Sequence, residues 1–239
     1  MTICREKALR VGAGLLLAVL STAVAPSMSA RAAGFDDDAA PAREATWQGT
    51  AGLRTMLIRD RGFDPFATTD ALPQLSLGIE RVVLRRGRVA VAVGLALDSG
   101  TSDATARSAD SHLRLIRGSI PVELRVAPHP RGYVFGRVAA GWMRVDASMT
   151  DASSPVTMSG NFSALSIDAG AGVAARVSPN RSVVGVWLSA DAGYSYSPSH
   201  ELVLQPGLGD ADRNKAGALT LAPLAARGVF GRIGVALTY

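Results

Sequence analysis

Leu224 to Tyr239 reads LAARGVFGRIGVALTY, and from Val229 onward its residues alternate in character without a break. Val229, Gly231, Ile233, Val235, Leu237 and Tyr239 fall on one face, and Phe230, Arg232, Gly234, Ala236 and Thr238 on the other. A period of two is the mark of a strand, because successive side chains point to opposite faces. One face is aliphatic and closes on an aromatic ring; the other is mostly small and carries an arginine.

Upstream, the same alternation recurs over Thr46–Leu57, Leu75–Leu84, Val89–Asp98, Leu113–Val126, Tyr133–Ser148, Phe162–Val177 and Val183–Tyr196. The clearest case is Val89–Asp98, with Val89, Val91, Val93, Leu95 and Leu97 opposing Ala90, Ala92, Gly94, Ala96 and Asp98. Polar stretches 58–74, 99–111, 149–161 and 197–218 read as long loops, and 85–88, 128–132 and 178–181 as tight turns. Pro121 falls inside a strand, where it removes a ladder donor, so a bulge is expected there. Nothing shows a sustained period near 3.6.

With the closing segment this makes eight strands of at least ten residues, enough for the ~9–11 that a tilted membrane-crossing strand needs. Short and long connections alternate strictly, and both ends of the set fall on the short-turn side. The expected class is all-β, an eight-stranded antiparallel up-and-down transmembrane β-barrel. A terminal amphipathic strand ending in Tyr resembles that of bacterial outer-membrane barrels, and the layout from Thr46 to Tyr239 resembles the small OmpA/OmpX-type family. The resemblance is architectural, and it implies a lipid bilayer and lipopolysaccharide as surroundings. It also implies assembly machinery that reads the C-terminal strand, and a monomer.

The first residues fit that destination. Arg5, Lys7 and Arg10 form a basic head, Val11 to Ala25 an apolar run, and Ala30-Arg31-Ala32 a small-x-small site. Residues 1–32 read as a cleaved signal peptide, the apolar run being short for a spanning helix. Residues 33–45 read as a flexible periplasmic leader and 46–239 as the barrel domain. The single cysteine, Cys4, precedes the apolar run, so the mature chain has no thiol or disulfide. Cleavage removes Arg5, Lys7, Arg10 and Arg31 against Glu6, taking the formal charge from +5 to +5 − 4 + 1 = +2. No nucleic-acid partner is expected of such a chain.

Alternation alone does not say which face is wet, since a soluble barrel alternates too, with its apolar face inward. Here the less apolar face is Gly, Ala and Ser broken by sparse charges, as suits a narrow lumen rather than bulk water. Its charged positions are Arg54, Glu80, Arg117, Glu123, Arg125, Arg137, Asp168, Arg176, Asp191 and Arg232. Desolvated charges are costly unless paired, so they are expected to form a network that plugs the lumen. Trp142, Tyr194, Tyr196 and Tyr239 are placed for membrane-interface girdles.

No metal or cofactor is expected. His112, His129 and His200 lack a partner at ligand spacing. His200 near Ser197 and Ser199 is the local candidate for hydrolytic chemistry. The reading is a non-enzymatic barrel with a structural or surface-interaction role through its long loops; the alternative is a barrel enzyme acting on lipid A or phospholipid acyl chains.

Overall fold

The computed structural model describes residues 46–106, 109–151, 156–179, 184–207 and 217–239. The expected signal peptide and leader lie outside them. Ten strands follow one another: β1 (Trp47–Leu57), β2 (Ala71–Arg86), β3 (Val89–Ala106), β4 (Ala109–His129), β5 (Gly132–Asp151), β6 (Thr157–Arg176), β7 (Gly185–Tyr196), β8 (Val203–Pro206), β9 (Leu219–Thr220) and β10 (Gly228–Thr238). Strands β1 to β7 pair antiparallel in chain order, and β10 pairs with both β7 and β1, closing a ring of eight. The short β8 and β9 pair with each other, and β8 leans on β6 through Met158 and Ser159.

Register fixes the dimensions of the ring. Paired residues lead from Trp47 to Arg81, Val93, Val122, Val138, Ala169, Tyr194 and Val229. Gly231 is the partner of Thr55. Val229 therefore returns the path level with Leu57, ten residues beyond its start at Trp47. Eight strands with a stagger of ten, at ~3.3 Å rise and ~4.8 Å spacing, tilt by roughly 40° and put the backbone about 8 Å from the axis. Such a ring has room for side chains and little else.

Through the lower part of the ring, aliphatic side chains face outward. Leu53, Leu77, Leu95, Leu97, Ile120, Val138, Leu165 and Ile233 are all exposed, while Arg54, Ser76, Glu80, Asp98, Glu123 and Asp168 are buried between them. At the turn end Trp47 and Tyr239 exchange backbone hydrogen bonds of 3.3 and 3.1 Å. Trp142, Tyr194 and Tyr196 are half exposed on the outer wall of β5 and β7 toward the loop end. The ten residues from Val229, beside Tyr194, down to Tyr239 span about 25 Å along the axis at this tilt. That is the height of the apolar band of an outer-membrane barrel.

Above the band the two faces exchange character without any change of parity. On β4 the inward residues go from Arg125, Glu123 and Arg117 to Leu115 and Leu113, while the outward ones go from Leu124, Val122 and Ile120 to Arg114, His112 and Asp110. On β5, Met143, Val145 and Ala147 point in while Arg144 and Asp146 point out. These inward residues join Phe63, Phe66, Leu202, Leu204 and Leu224 from the connecting segments in one apolar core. The upper storey is thus built as a water-exposed barrel, apolar inside and polar outside.

That storey corrects the expected loop boundaries. Strand β2 begins at Ala71, β3 and β4 run to Ala106 and from Ala109, and β5 and β6 run to Asp151 and from Thr157. Much of 99–111 and 149–161 is strand, and the 197–218 stretch contributes β8. The bulge expected at Pro121 does not occur: Ile120, Pro121 and Val122 keep one register with Ala140, Ala139 and Val138. Toward β3 the register on either side of Pro121 is also unchanged, and only the rungs to Gly94 and Leu95 are missing. Irregularities fall instead at Val82/Leu84 and Val126/His129, next to turns. In the β2–β3 turn Gly87 has a φ of +58°, a conformation a side chain disfavours.

Candidate functional site: the charged lumen

Two arginine–carboxylate clusters and one further pair lie in the lumen within the band. Small residues on β3 make the lower cluster possible. Ala92, Gly94 and Ala96 present almost no bulk inward, so β2 and β4 side chains meet across them. Arg125 Nε donates to Glu123 Oε2 (2.8 Å) and Nη1 to Gln48 Oε1 (2.8 Å), and Arg125 also contacts Glu80. Arg137 Nε donates to Glu123 Oε1 (2.6 Å) and Nη2 to Glu80 Oε1 (2.6 Å). Both arginines thus bridge the same two carboxylates. Aromatic rings close the cluster toward the turns: Arg125 lies 5.2 Å from the Tyr133 ring and Arg137 5.8 Å from that of Phe135. Trp187 packs on Tyr133 with ring centroids 5.2 Å apart.

The upper cluster draws one residue from each of β1, β3, β4 and β6. Arg54 Nη1 donates to Asp98 Oδ2 (3.1 Å) and to Asp168 Oδ2 (2.9 Å). Arg117 Nε donates to Asp98 Oδ2 (3.1 Å) and Nη1 to Asp168 Oδ1 (2.5 Å), with a further Arg117–Asp98 contact through Nη2. Arg54 and Asp98 have no exposed side-chain surface. Arg54 is also stacked 4.1 Å from the Phe230 ring. Asp191 and Arg232 are register partners on β7 and β10, 4.0 Å apart between the clusters.

Among the described lumen residues the charges balance. Arg54, Arg117, Arg125, Arg137 and Arg232 face Glu80, Asp98, Glu123, Asp168 and Asp191. A buried charge is tolerated only when paired and hydrogen-bonded, and every one of these lies within 4.0 Å of an opposite charge. A cavity beside Gln48, Glu123, Arg137 and Asp191 has a volume of about 20 Å³, room for about one water. Above the clusters lie Phe230 and the apolar core.

Nine of the ten charged positions singled out from sequence lie in this network. The tenth, Arg176, does not: it sits at the β6–β7 turn, where Nε donates to Ser178 Oγ (3.1 Å) and Nη2 to the Pro179 carbonyl (3.3 Å). Its position on β6 is inward, but at that level the ring has already opened to water. Asp98, which links Arg54 to Arg117, is the one charge of the network outside those ten. Its parity is inward, after Ala90, Ala92, Gly94 and Ala96, but in sequence it stands where the apolar alternation of the strand stops.

Elsewhere, Ser197 is fully buried and His200 stacks on Phe162 with centroids 5.2 Å apart, but no hydrogen bond joins the Ser197 hydroxyl to His200. No group of three or more His, Cys, Asp or Glu is arranged to hold a metal ion among the described residues.

No protein-family model matches the chain, and no curated protein sequence does. Among solved structures, a major outer membrane protein from Thermus thermophilus is similar with a TM-score of 0.52 and 13% identity, over 81% of this chain and 99% of that one. The fold is that of a small outer-membrane β-barrel. Ail, the attachment invasion locus protein of Yersinia pestis, aligns with a TM-score of 0.42 and 13% identity, over 82% of this chain and 98% of that one. The outer membrane protease OmpT from Escherichia coli aligns with a TM-score of 0.45 and 8% identity, over 82% and 94%. The closed ring of eight strands, with the likeness to the Thermus thermophilus protein, gives the class as all-β, an eight-stranded antiparallel up-and-down transmembrane barrel with two short accessory strands at its loop end.

Proposed function

We propose that the mature chain is an integral outer-membrane barrel, closed to ions, whose role is structural or surface-interacting through its loop end. One observation carries the reading: the outer wall changes from aliphatic to polar at the same height at which the interior changes from charged to aliphatic. A wall in contact with lipid up to that height and with water beyond it explains both changes. Residues 1–32 act as the export signal in this reading, and the bilayer and lipopolysaccharide surround a monomer assembled through its C-terminal strand.

The lumen supports a plug rather than a pore, because two arginine–carboxylate clusters and an apolar layer stack across a section about 8 Å in backbone radius. Planar-bilayer recording tests this. The wild type should give no stable conductance, and a large anion-selective one would overturn the plug. Release of the protein by osmotic shock as a soluble species would overturn the membrane location. The enzyme alternative rests on His200 beside Ser197 and Ser199, and the lack of a hydrogen bond between the Ser197 hydroxyl and His200 counts against that pair.

A further inference from the structure

The turn end of the barrel collects charge that the lumen network does not use. Arg85, Arg86 and Arg88 surround the β2–β3 turn, Arg131 lies in the β4–β5 turn and Arg176 at the end of β6. Arg81 faces outward on β2, its guanidinium 5.4 Å from the Trp47 ring. These turns adjoin one another: Ala127 N donates to the Arg88 carbonyl (2.8 Å) and Arg176 N to the Arg131 carbonyl (2.8 Å). The arc therefore follows the rim from β2 to β6. Among the described residues beyond the level of Trp47 and Tyr239 there is no Asp or Glu. The opposite end, beyond the band, carries eight acids against five arginines among the described residues.

Height decides what the arc can meet. Arg81 is the register partner of Trp47, and Arg86 lies five residues further along β2. At the strand tilt found here that is roughly 12 Å along the axis, so the arginines span the headgroup layer of ~5–8 Å on that side of the hydrocarbon. They do not converge on a pocket. Arg81, beside an interface tryptophan, and Arg86, the register partner of outward-facing Val89, lie on the outer face of β2 and so face sideways into a leaflet, with Arg88 in the turn next to them.

We propose that the β2 end of this arc, Arg81, Arg86 and Arg88, binds the phosphates of anionic phospholipids in the leaflet at the turn end, an inference that rests on the barrel spanning a membrane. Guanidinium groups recognise phosphate through paired N–H donors, and a one-signed band adds a longer-range attraction that salt screens. The binding fixes the height of the barrel and favours the orientation that places the turns against anionic headgroups.

The experiment compares the full wild-type chain with the Arg81→Gln/Arg86→Gln/Arg88→Gln variant, each folded into phosphatidylcholine vesicles and into the same vesicles containing a minor fraction of phosphatidylglycerol. The readout is the urea midpoint of unfolding at low and high salt. The two proteins should match in phosphatidylcholine. Added phosphatidylglycerol should raise the wild-type midpoint, high salt should shrink that rise, and the variant should show less than half of it. An equal rise in both overturns the proposal. So does a variant already weaker in phosphatidylcholine by the full difference, which would mean the arginines serve contacts within the chain. Glycerophosphate in solution reproducing the wild-type rise would indicate a free phosphate site and overturn it too. Failure of the wild type to insert into phosphatidylcholine would instead bring down the membrane reading beneath it.

Discussion

Asp98→Ala isolates the energetics of the lumen. Asp98 Oδ2 accepts from Arg54 Nη1 at 3.1 Å and from Arg117 Nε at 3.1 Å, and its side chain has no exposed surface. Alanine leaves two buried guanidinium groups sharing the single carboxylate of Asp168. Removing one partner of a buried pair costs about 3–5 kcal/mol, because the remaining charge stays desolvated. Retention of Asp168 keeps the cost near the lower end of that range. Urea unfolding in lipid vesicles, followed by the gel mobility of folded and heated samples, measures it. Replacing both charges, as in Arg54→Met with Asp98→Leu, leaves the balanced Arg117–Asp168 pair. The double variant should be more stable than the sum of the single costs by ~0.5–3 kcal/mol. A cost below ~1 kcal/mol for Asp98→Ala, as exposed pairs give, would refute a desolvated network.

Other outcomes follow from the levels in the barrel. Leu95→Arg, near mid-height of the outer wall, should destabilise the barrel in lipid by ~2–4 kcal/mol, whereas Val91→Arg, near the Trp47 level, should cost only ~0–1; equal costs in vesicle unfolding would contradict the placement of the band. Glu123→Ala should cost about 3–5 kcal/mol, since Glu123 is shared by Arg125 and Arg137. Above the band, Leu113→Ala should cost ~2–5 kcal/mol by opening the apolar core, while Ser163→Ala on the outer wall should fall within ~0.5, both read from urea midpoints.

Much of the barrel was legible in the sequence because a one-residue slip would turn every aliphatic residue inward, and the alternation forbids it. The faces assigned to Val89–Asp98 and to the closing strand are those of the structure. Strand length was less legible. Leu113, Leu115, Met143 and Val145 keep the parity of their strands, but their partners across the wall become Arg, Asp and Ser, so the contrast that marks a lipid-facing strand reverses and reads as a polar loop. Asp98 was lost at that reversal. Pro121 misled for another reason: with two rungs to β3 simply unmade, no extra residue is needed. The arginine arc was invisible as a unit, since it joins three turns more than forty residues apart and only the pairing of β3 with β4 and β5 with β6 brings them together.

The most direct test is a depth profile of the outer wall. Single cysteines placed at Leu95, Ile120, Arg114 and Asn161 in a Cys4→Ser background carry spin labels in vesicles, and collision with oxygen is compared with collision with a water-soluble nickel complex. Labels at Leu95 and Ile120 should meet oxygen and exclude nickel, and labels at Arg114 on β4 and Asn161 on β6, on the same outer face nearer the loop end, should do the reverse. Nickel access at Leu95 and Ile120 equal to that at Arg114 would contradict a lipid-embedded band ending where the two faces exchange character.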